Sequence, residues 1–245
     1  MSSRPPTEYF SRHPIEHKIE GVNSDGDSLF LYPAMIYNNL TITDTAMEGS
    51  VDRPRSSRVA YVADDGHHIH ILEGSASTTV RVVGSTTLKG RVNSIRYHTL
   101  HHHPTTTTAL VITSTDGAYI YTDDLRRTLC YIPPPSVDPR DDDDEVHFTA
   151  STVITGMHGD SLEETNEGHL IIGASDGSCR VIPFKGDKLG SAPSAQQLRP
   201  AVGVPPGVSA MCSMEVISAE CPSMCAIGYN DGSLRVWRPS SCREV

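Results

Sequence analysis

No apolar run in this chain approaches the roughly 20 residues that a helix needs to cross a bilayer, so no membrane-spanning helix is expected. The opening Met1-Ser-Ser-Arg-Pro-Pro-Thr-Glu8 lacks the apolar core of a secretory signal. Without a secretory route, the six cysteines (Cys130, Cys179, Cys212, Cys221, Cys225, Cys242) read as reduced thiols of an intracellular protein, not as a disulfide framework. Positive charge is scarce too. Twenty Lys and Arg face 30 Asp and Glu, leaving a formal net charge of −10 with no local basic patch. Such a chain repels phosphate backbones and anionic lipid, which argues against nucleic acid and membrane as partners. Catalytic signatures are missing as well: there is no Gly-x-Ser-x-Gly, no phosphate-binding glycine loop ending in Lys-Ser/Thr, and no His-Glu-x-x-His. A non-catalytic protein without cofactor or metal is expected.

What the chain does have is a repeat. Four segments, Arg58–Ile71, Ala109–Tyr121, His169–Ile182 and Met224–Trp237, share one shape. Each is an apolar run, a small or polar residue or two, Asp-Gly, then a second run of β-formers. Asp-Gly tolerates the positive φ that a tight, right-twisting reversal demands, so each segment predicts a β-hairpin. The turns fall at Asp65-Gly66, Asp116-Gly117, Asp176-Gly177 and Asp231-Gly232. The first strand of each pair is apolar at consecutive positions, as at Leu170, Ile171 and Ile172. That pattern predicts burial on both faces, which stacked sheets provide and a single open sheet does not.

The turn glycines are spaced by 51, 60 and 55 residues, longer than the roughly 40–45 residues of a plain WD-type blade. Insertions are therefore expected, and composition places them at Glu73 to Ser77, at about 133–145 and at about 185–207. The second holds Pro133, Pro134 and Pro135, and the third holds Pro193, Pro200, Pro205 and Pro206. Proline cannot donate to a ladder, so these segments read as loops. Further strands are expected at Val92–Tyr97, Val208–Val216, Thr79–Val83 and Thr128–Ile132. Four strands per unit with the hairpin in the middle make a propeller blade. Residues 1–27 read as a flexible N-terminal segment and 28–245 as blades.

Gly228-Tyr-Asn-Asp-Gly-Ser-Leu-Arg-Val-Trp237 resembles the WD-repeat signature, in which Asp-Gly and an Arg-Val-Trp close a hairpin. The second hairpin departs from it, since Tyr119-Ile120-Tyr121 sits one residue nearer its Asp-Gly than Arg235-Val236-Trp237 does. Arg238 replaces the Asp after Trp237, and Gly90-Arg91 stands where Gly-His is usual, so the His-to-Asp network common in WD repeats is not expected. Tyr32–Thr43, taken with His169–Gly177, resembles the N-terminal propeller region of the WD repeat-containing protein 54 family. That resemblance implies a cytoplasmic, non-enzymatic scaffold that binds other proteins, linked to signalling, vesicles or cilia; it carries no binding residue across. WD propellers usually close with seven blades, whereas four are recognisable here. The fold class is thus an all-β WD-repeat β-propeller with an incomplete ring: a partial version of a longer protein, a ring completed by another chain, or an unusually small closure.

Several local clusters admit a sharper reading. His101-His102-His103 lacks ligand partners at metal spacing and reads as a solvated loop. His68 and His70 could share a strand face as two ligands, but the plainer reading is a solvent-exposed face. Cys221 and Cys225 have no second pair, so no zinc site is expected. Asp141, Asp142, Asp143, Asp144 and Glu145 lack the glycine and alternation of a calcium loop. They read as a solvated acidic loop and as the best local docking point for a basic partner segment. Asp160–Thr165 reads as loop or a capped helical turn. As an alternative, a propeller-type hydrolase would need Asp64, Asp116, His147 and Asp176 to converge.

Overall fold

The computed structural model describes residues 20–22, 28–30, 40–45, 56–63, 65–75, 78–101, 107–135, 146–157, 164–185, 188–189, 196–198, 207–214, 224–238 and 243–244. Two compact units divide between Tyr32 and Pro33. In the first, β1 (Glu20–Val22) pairs antiparallel with β2 (Ser28–Phe30). A strand pair thus straddles the boundary expected at residue 27. Its first half lies in the segment expected to be flexible.

Among the described residues the second unit holds four antiparallel sheets in chain order. Blade 1 is β3 (Leu40–Thr45), β4 (Ser56–Val62), β5 (His68–Ser75) and β6 (Thr78–Thr87). Blade 2 is β7 (Val92–His101), β8 (Thr107–Ser114), β9 (Gly117–Thr122) and β10 (Thr128–Ile132). Blade 3 is β11 (Phe148–Met157), β12 (Glu164–Ala174) and β13 (Cys179–Lys185), with β14 (Lys188–Leu189) and β15 (Gln196–Leu198) both paired to β13. Blade 4 is β16 (Val208–Met214), β17 (Met224–Tyr229), β18 (Leu234–Arg238) and β19 (Arg243–Glu244).

The leading strands of successive blades lie side by side, β3 by β7, β7 by β11 and β11 by β16. Up-and-down four-stranded sheets with their first strands gathered at a hub are β-propeller blades. Among the described residues the second unit is an all-β array of propeller blades, an incomplete ring.

Polar side chains staple the hub strands to one another. Tyr97 N–H donates to Thr41 Oγ1 (3.1 Å), joining β7 to β3. Asn93 Nδ2 donates to the Phe148 carbonyl (2.7 Å), and His98 Nε2 meets Ser151 Oγ (3.0 Å), joining β7 to β11. Thr149 Oγ1 donates to the Val208 carbonyl (2.6 Å), joining β11 to β16.

Burial follows from strand alternation, since successive side chains point to opposite faces. Ala60, Val62, Ile69 and Ile71 of blade 1 pack on Ile95, Leu110 and Ile112 of blade 2. On its other side, blade 2 sets Ala109, Val111, Ala118 and Ile120 against Leu170, Ile172, Ile182 and Phe184. Blade 3 then sets Ala150, Ile171, Cys179 and Val181 against Ile227, Tyr229 and Trp237. Leu170, Ile171 and Ile172 are all fully buried, as their unbroken apolar run predicts.

Two expected loops are partly strand. Glu73, Gly74 and Ser75 end β5, because Glu73 pairs with Arg81 across the β5–β6 ladder. Within 185–207, β14 and β15 add outer pairing to β13, so their prolines flank short strands instead of marking one long loop. The end of Asp160–Thr165 is also strand, Glu164 opening β12. In the 133–145 segment, Pro133 to Pro135 carry no strand and the remainder lies outside the described residues.

Candidate functional site

Each Asp-Gly pair links the second and third strands of its blade, so the four turns share one rim of the array. Three are alike. Gly66, Gly177 and Gly232 have φ of 75°, 78° and 82°. Their amides donate to Ala63, Ala174 and Tyr229 carbonyls at 3.0 Å each. In each, the preceding aspartate caps the reversal: Asp65 accepts from His67 N–H (2.8 Å), Asp176 from Ser178 N–H (2.9 Å), and Asp231 from Ser233 N–H (2.8 Å). This is the Asx-turn chemistry for which aspartate is favoured.

The second turn is tighter. Gly117 pairs directly with Ser114, and its φ is 146°. With β9 starting at the glycine itself, Tyr119-Ile120-Tyr121 comes one residue early, as the sequence shows. Asp116 turns inward, accepting from Ser114 Oγ (2.6 Å) and Tyr119 O–H (2.7 Å), while Tyr131 O–H donates to its carbonyl (2.8 Å).

A second recurrent device stitches the rim. The residue two before the turn glycine donates its amide to the carbonyl of the segment entering its own hub strand. Thr115 N–H bonds Arg91 O (2.9 Å), Ser175 N–H bonds His147 O (2.8 Å), and Asn230 N–H bonds Gly207 O (2.9 Å). Val92 N–H also reaches back to Gly66 O (2.8 Å), tying the turn of blade 1 to blade 2. Gly90, in place of the usual Gly-His dipeptide's histidine partner, supplies a backbone amide to the Asp116 carboxylate. Sequence reasoning foresaw the missing histidine but not its substitute, because a main-chain donor leaves no residue-type signal.

Electrostatics on the rim are set by these bonds. Burial raises the Asp116 pKa, and the hydrogen bonds from Ser114, Tyr119 and Gly90 outweigh it, so the carboxyl lies below its ordinary value. Asp65 is likewise lowered, burial being outweighed by His68 and His67 amides and the His68 ring. His68 Nδ1 contacts Asp65 Oδ2. Asp231 is lowered chiefly by Ser233.

Away from the rim, Arg58 bridges blades 1 and 2. Its Nε donates to Glu73 (2.8 Å), its Nη1 pairs with Asp123, and Arg81 closes on Glu73 (2.9 Å). Nothing in local sequence pattern signals this network, since Arg58 and Asp123 are 65 residues apart.

His70 does not lie on a solvent-exposed face. It is buried, its ring 5.4 Å from that of Tyr61, its register partner on β4. Burial, with His68 nearby, depresses its pKa. Among the described residues no group of three or more His, Cys, Asp or Glu is placed to hold a metal. Asp116 stands on blade 2 and His147 and Asp176 on blade 3, both aspartates engaged within their own turns. Asp64, His102, His103, Asp141 to Glu145 and Cys221 lie outside the described residues. Trp237 is buried opposite Cys225, where its bulk fills the junction of blades 3 and 4.

No family model and no curated protein matches the chain. Among solved structures it is similar to BBS1N in the crystal structure of BBS1N in complex with ARL6DN soaked with lead. The TM-score is 0.44 and the identity 17%, over 86% of this chain and 51% of that one. The chain thus spans about half the length of that BBS1N chain. It is also similar to the mercury-soaked form, with TM-score 0.39 and 12% identity over 84% of this chain and 81% of that one.

Proposed function

We propose that this chain is an intracellular, non-catalytic scaffold of the WD-repeat kind, displaying its turn rim and inserted loops to protein partners. The observation that carries this reading is the self-sufficiency of the rim. Asp65, Asp116, Asp176 and Asp231 each engage their carboxylates with their own turns, Asp116 with the Gly90 amide as well. A rim so braced is a rigid display surface, not a set of free acids and bases. The Trp237 hairpin supports the WD-repeat assignment, and a net charge of −10 favours basic segments as partners.

The acidic run Asp141 to Glu145 is the proposed docking point for a Lys/Arg-rich peptide. Binding of such peptides to the immobilised chain is expected to weaken with added salt. It should fall at least several-fold when Asp141 to Asp144 become Asn and Glu145 becomes Gln. Equal binding by that variant would remove the loop from the proposal. Turnover of an ester, phosphate or glycoside panel by the purified chain would overturn the scaffold reading itself. A fluorescent fusion followed in cells tests the proposed cytoplasmic location and any association with vesicles or cilia.

A further inference from the structure

Within blade 1, Thr43, Arg58, Glu73 and Arg81 stand in register across all four strands, on the face that carries Ala60 and Ile71 toward blade 2. Opposite charges so placed pair across the ladder. Arg81 Nη2 donates to Glu73 Oε1 (2.9 Å), and Arg58 Nε donates to Glu73 Oε2 (2.8 Å). Arg58 then crosses to Asp123 of blade 2, in the turn between β9 and β10, where Asp124 pairs with Arg126 (3.2 Å). That turn is held in one shape. Leu125 has a φ of 62°, and its amide donates to the Thr122 carbonyl (3.0 Å). Arg126 N–H donates to Asp124 Oδ1 (3.1 Å), and Arg127 N–H donates to Thr122 Oγ1 (3.1 Å). Blade 1 admits the turn at Gly84, where any side chain would collide with the Asp124 carbonyl.

The charges along this line are layered. Glu73, Asp123 and Asp124 expose only 11%, 30% and 21% of their side chains. Arg81 and Arg126 expose 72% and 78%, and Arg127 is exposed beside them. The carboxylates therefore lie beneath while guanidinium groups face the water. Arg58, Arg81, Arg126 and Arg127 also outnumber the three carboxylates among them. On a chain of net charge −10 this surface has the opposite sign. In the sequence only Arg126 and Arg127 are neighbours, and the stacking of two blades supplies the rest. The turn joins a third strand to a fourth, so the patch lies at the strand ends away from the Asp-Gly rim.

We infer that this patch docks an acidic segment of a partner protein, whose Asp and Glu carboxylates meet Arg81, Arg126 and Arg127. Surface ion pairs are weak, and a guanidinium carries more N–H donors than one carboxylate can accept. Arg81 and Arg126 can thus keep Glu73 and Asp124 while turning their remaining donors to an incoming carboxylate, which the planar fork suits. The net negative charge of the chain repels the same segment elsewhere, which favours this place. The patch shares no residue with the acidic run proposed to take basic segments, and either can exist without the other.

Fluorescence anisotropy of a labelled oligo-glutamate peptide titrated with the full chain tests the assignment. Binding is expected at low ionic strength and should weaken several-fold at physiological salt. The combined variant Arg81→Gln, Arg126→Gln and Arg127→Gln alters exposed side chains only. It should keep its circular dichroism and thermal transition while affinity falls about ten-fold or more. The corresponding lysine variant should retain part of the affinity, and Arg180→Gln on blade 3 should retain all of it. Lys/Arg-rich peptides should bind the glutamine variant as they bind the wild type. A wild-type chain that ignores oligo-glutamate overturns the inference. So does a glutamine variant that binds it equally, or a loss of the same size in Arg180→Gln. A phosphopeptide or a phosphatidylserine vesicle held more tightly through the same three arginines would overturn the choice of a carboxylate-rich partner.

Discussion

The amide of Gly90 donates to the carboxylate of Asp116, and the approach is so close that a side chain at Gly90 would lie 2.6 Å from the Asp116 amide nitrogen. The contact fixes the entry into the hub strand of blade 2 to the turn at its rim. Gly90→Ala must push the two apart, and overpacking of this kind costs about 1–3 kcal/mol. Urea unfolding should show that loss as a lower midpoint with an unchanged slope.

The same carboxylate gives a pH signature. Asp116 is held below its unfolded pKa, so its contribution is fully present above about pH 4, the ordinary aspartate value, and is lost as pH falls through the folded pKa. Asp116→Asn should therefore be less stable than the wild type at neutral pH. The gap should narrow in acid. A constant gap down to pH 3 would count against the assignment.

His98 predicts a second acid limb. Burial pushes its pKa down to about 3, with Arg96 adding to the effect, and Ser151 Oγ lies 3.0 Å from its Nε2. The unfolded chain binds this proton from about pH 6.5, so stability from His98 is complete above that value and declines toward pH 3. Replacement by Gln should flatten the stability profile between these limits. Ser151→Ala leaves a buried ring nitrogen without its partner, at a cost of about 1–3 kcal/mol.

Two turn glycines should respond differently to alanine. Around Gly232 nothing lies within 4 Å of an added Cβ, so Gly232→Ala meets only the strain of a φ of 82°, about 1–2 kcal/mol. At Gly117 an added Cβ would lie 2.6 Å from the Ile132 carbonyl and 2.7 Å from the Tyr131 ring. Thermal unfolding should place Gly117→Ala clearly below Gly232→Ala.

Arg58→Lys tests the bridge between blades 1 and 2. A lysine cannot reproduce the fork that meets Glu73 and Asp123 together. Both partners are partly exposed, so the loss should be about 1 kcal/mol or less and should shrink with salt. Burial already raises the Asp123 pKa and Arg58 opposes it, so the variant should move that carboxyl further up. NMR titration reads the shift directly.

Much of this architecture could be read from residue order because hairpins are local. Asp-Gly fixes where the chain reverses, and the early Tyr119-Ile120-Tyr121 even marked the turn that is shorter by one residue. Unbroken apolar runs such as Leu170 to Ile172 announced strands covered on both sides. The staples were not legible, since Thr149 and Val208, or Asn93 and Phe148, meet only after separate blades have stacked. His70 misled for a related reason: its neighbours His67 and His68 are rim residues, and the step from rim to interior takes only two positions. The prolines of 185–207 suggested a single loop because their spacing hides the short strands Lys188–Leu189 and Gln196–Leu198.

The hub staples have a consequence for how such a chain can change over generations. Thr41, Asn93, His98 and Thr149 hold leading strands together through side chains or backbone atoms at set heights. A residue gained or lost there shifts every bond beyond it. Away from the hub, blade 3 accommodates two short segments, β14 and β15, along one neighbour, β13. Changes of length are therefore expected to be tolerated more readily at the circumference than at the centre. New recognition loops should arise at the periphery, with the hub inherited nearly unaltered.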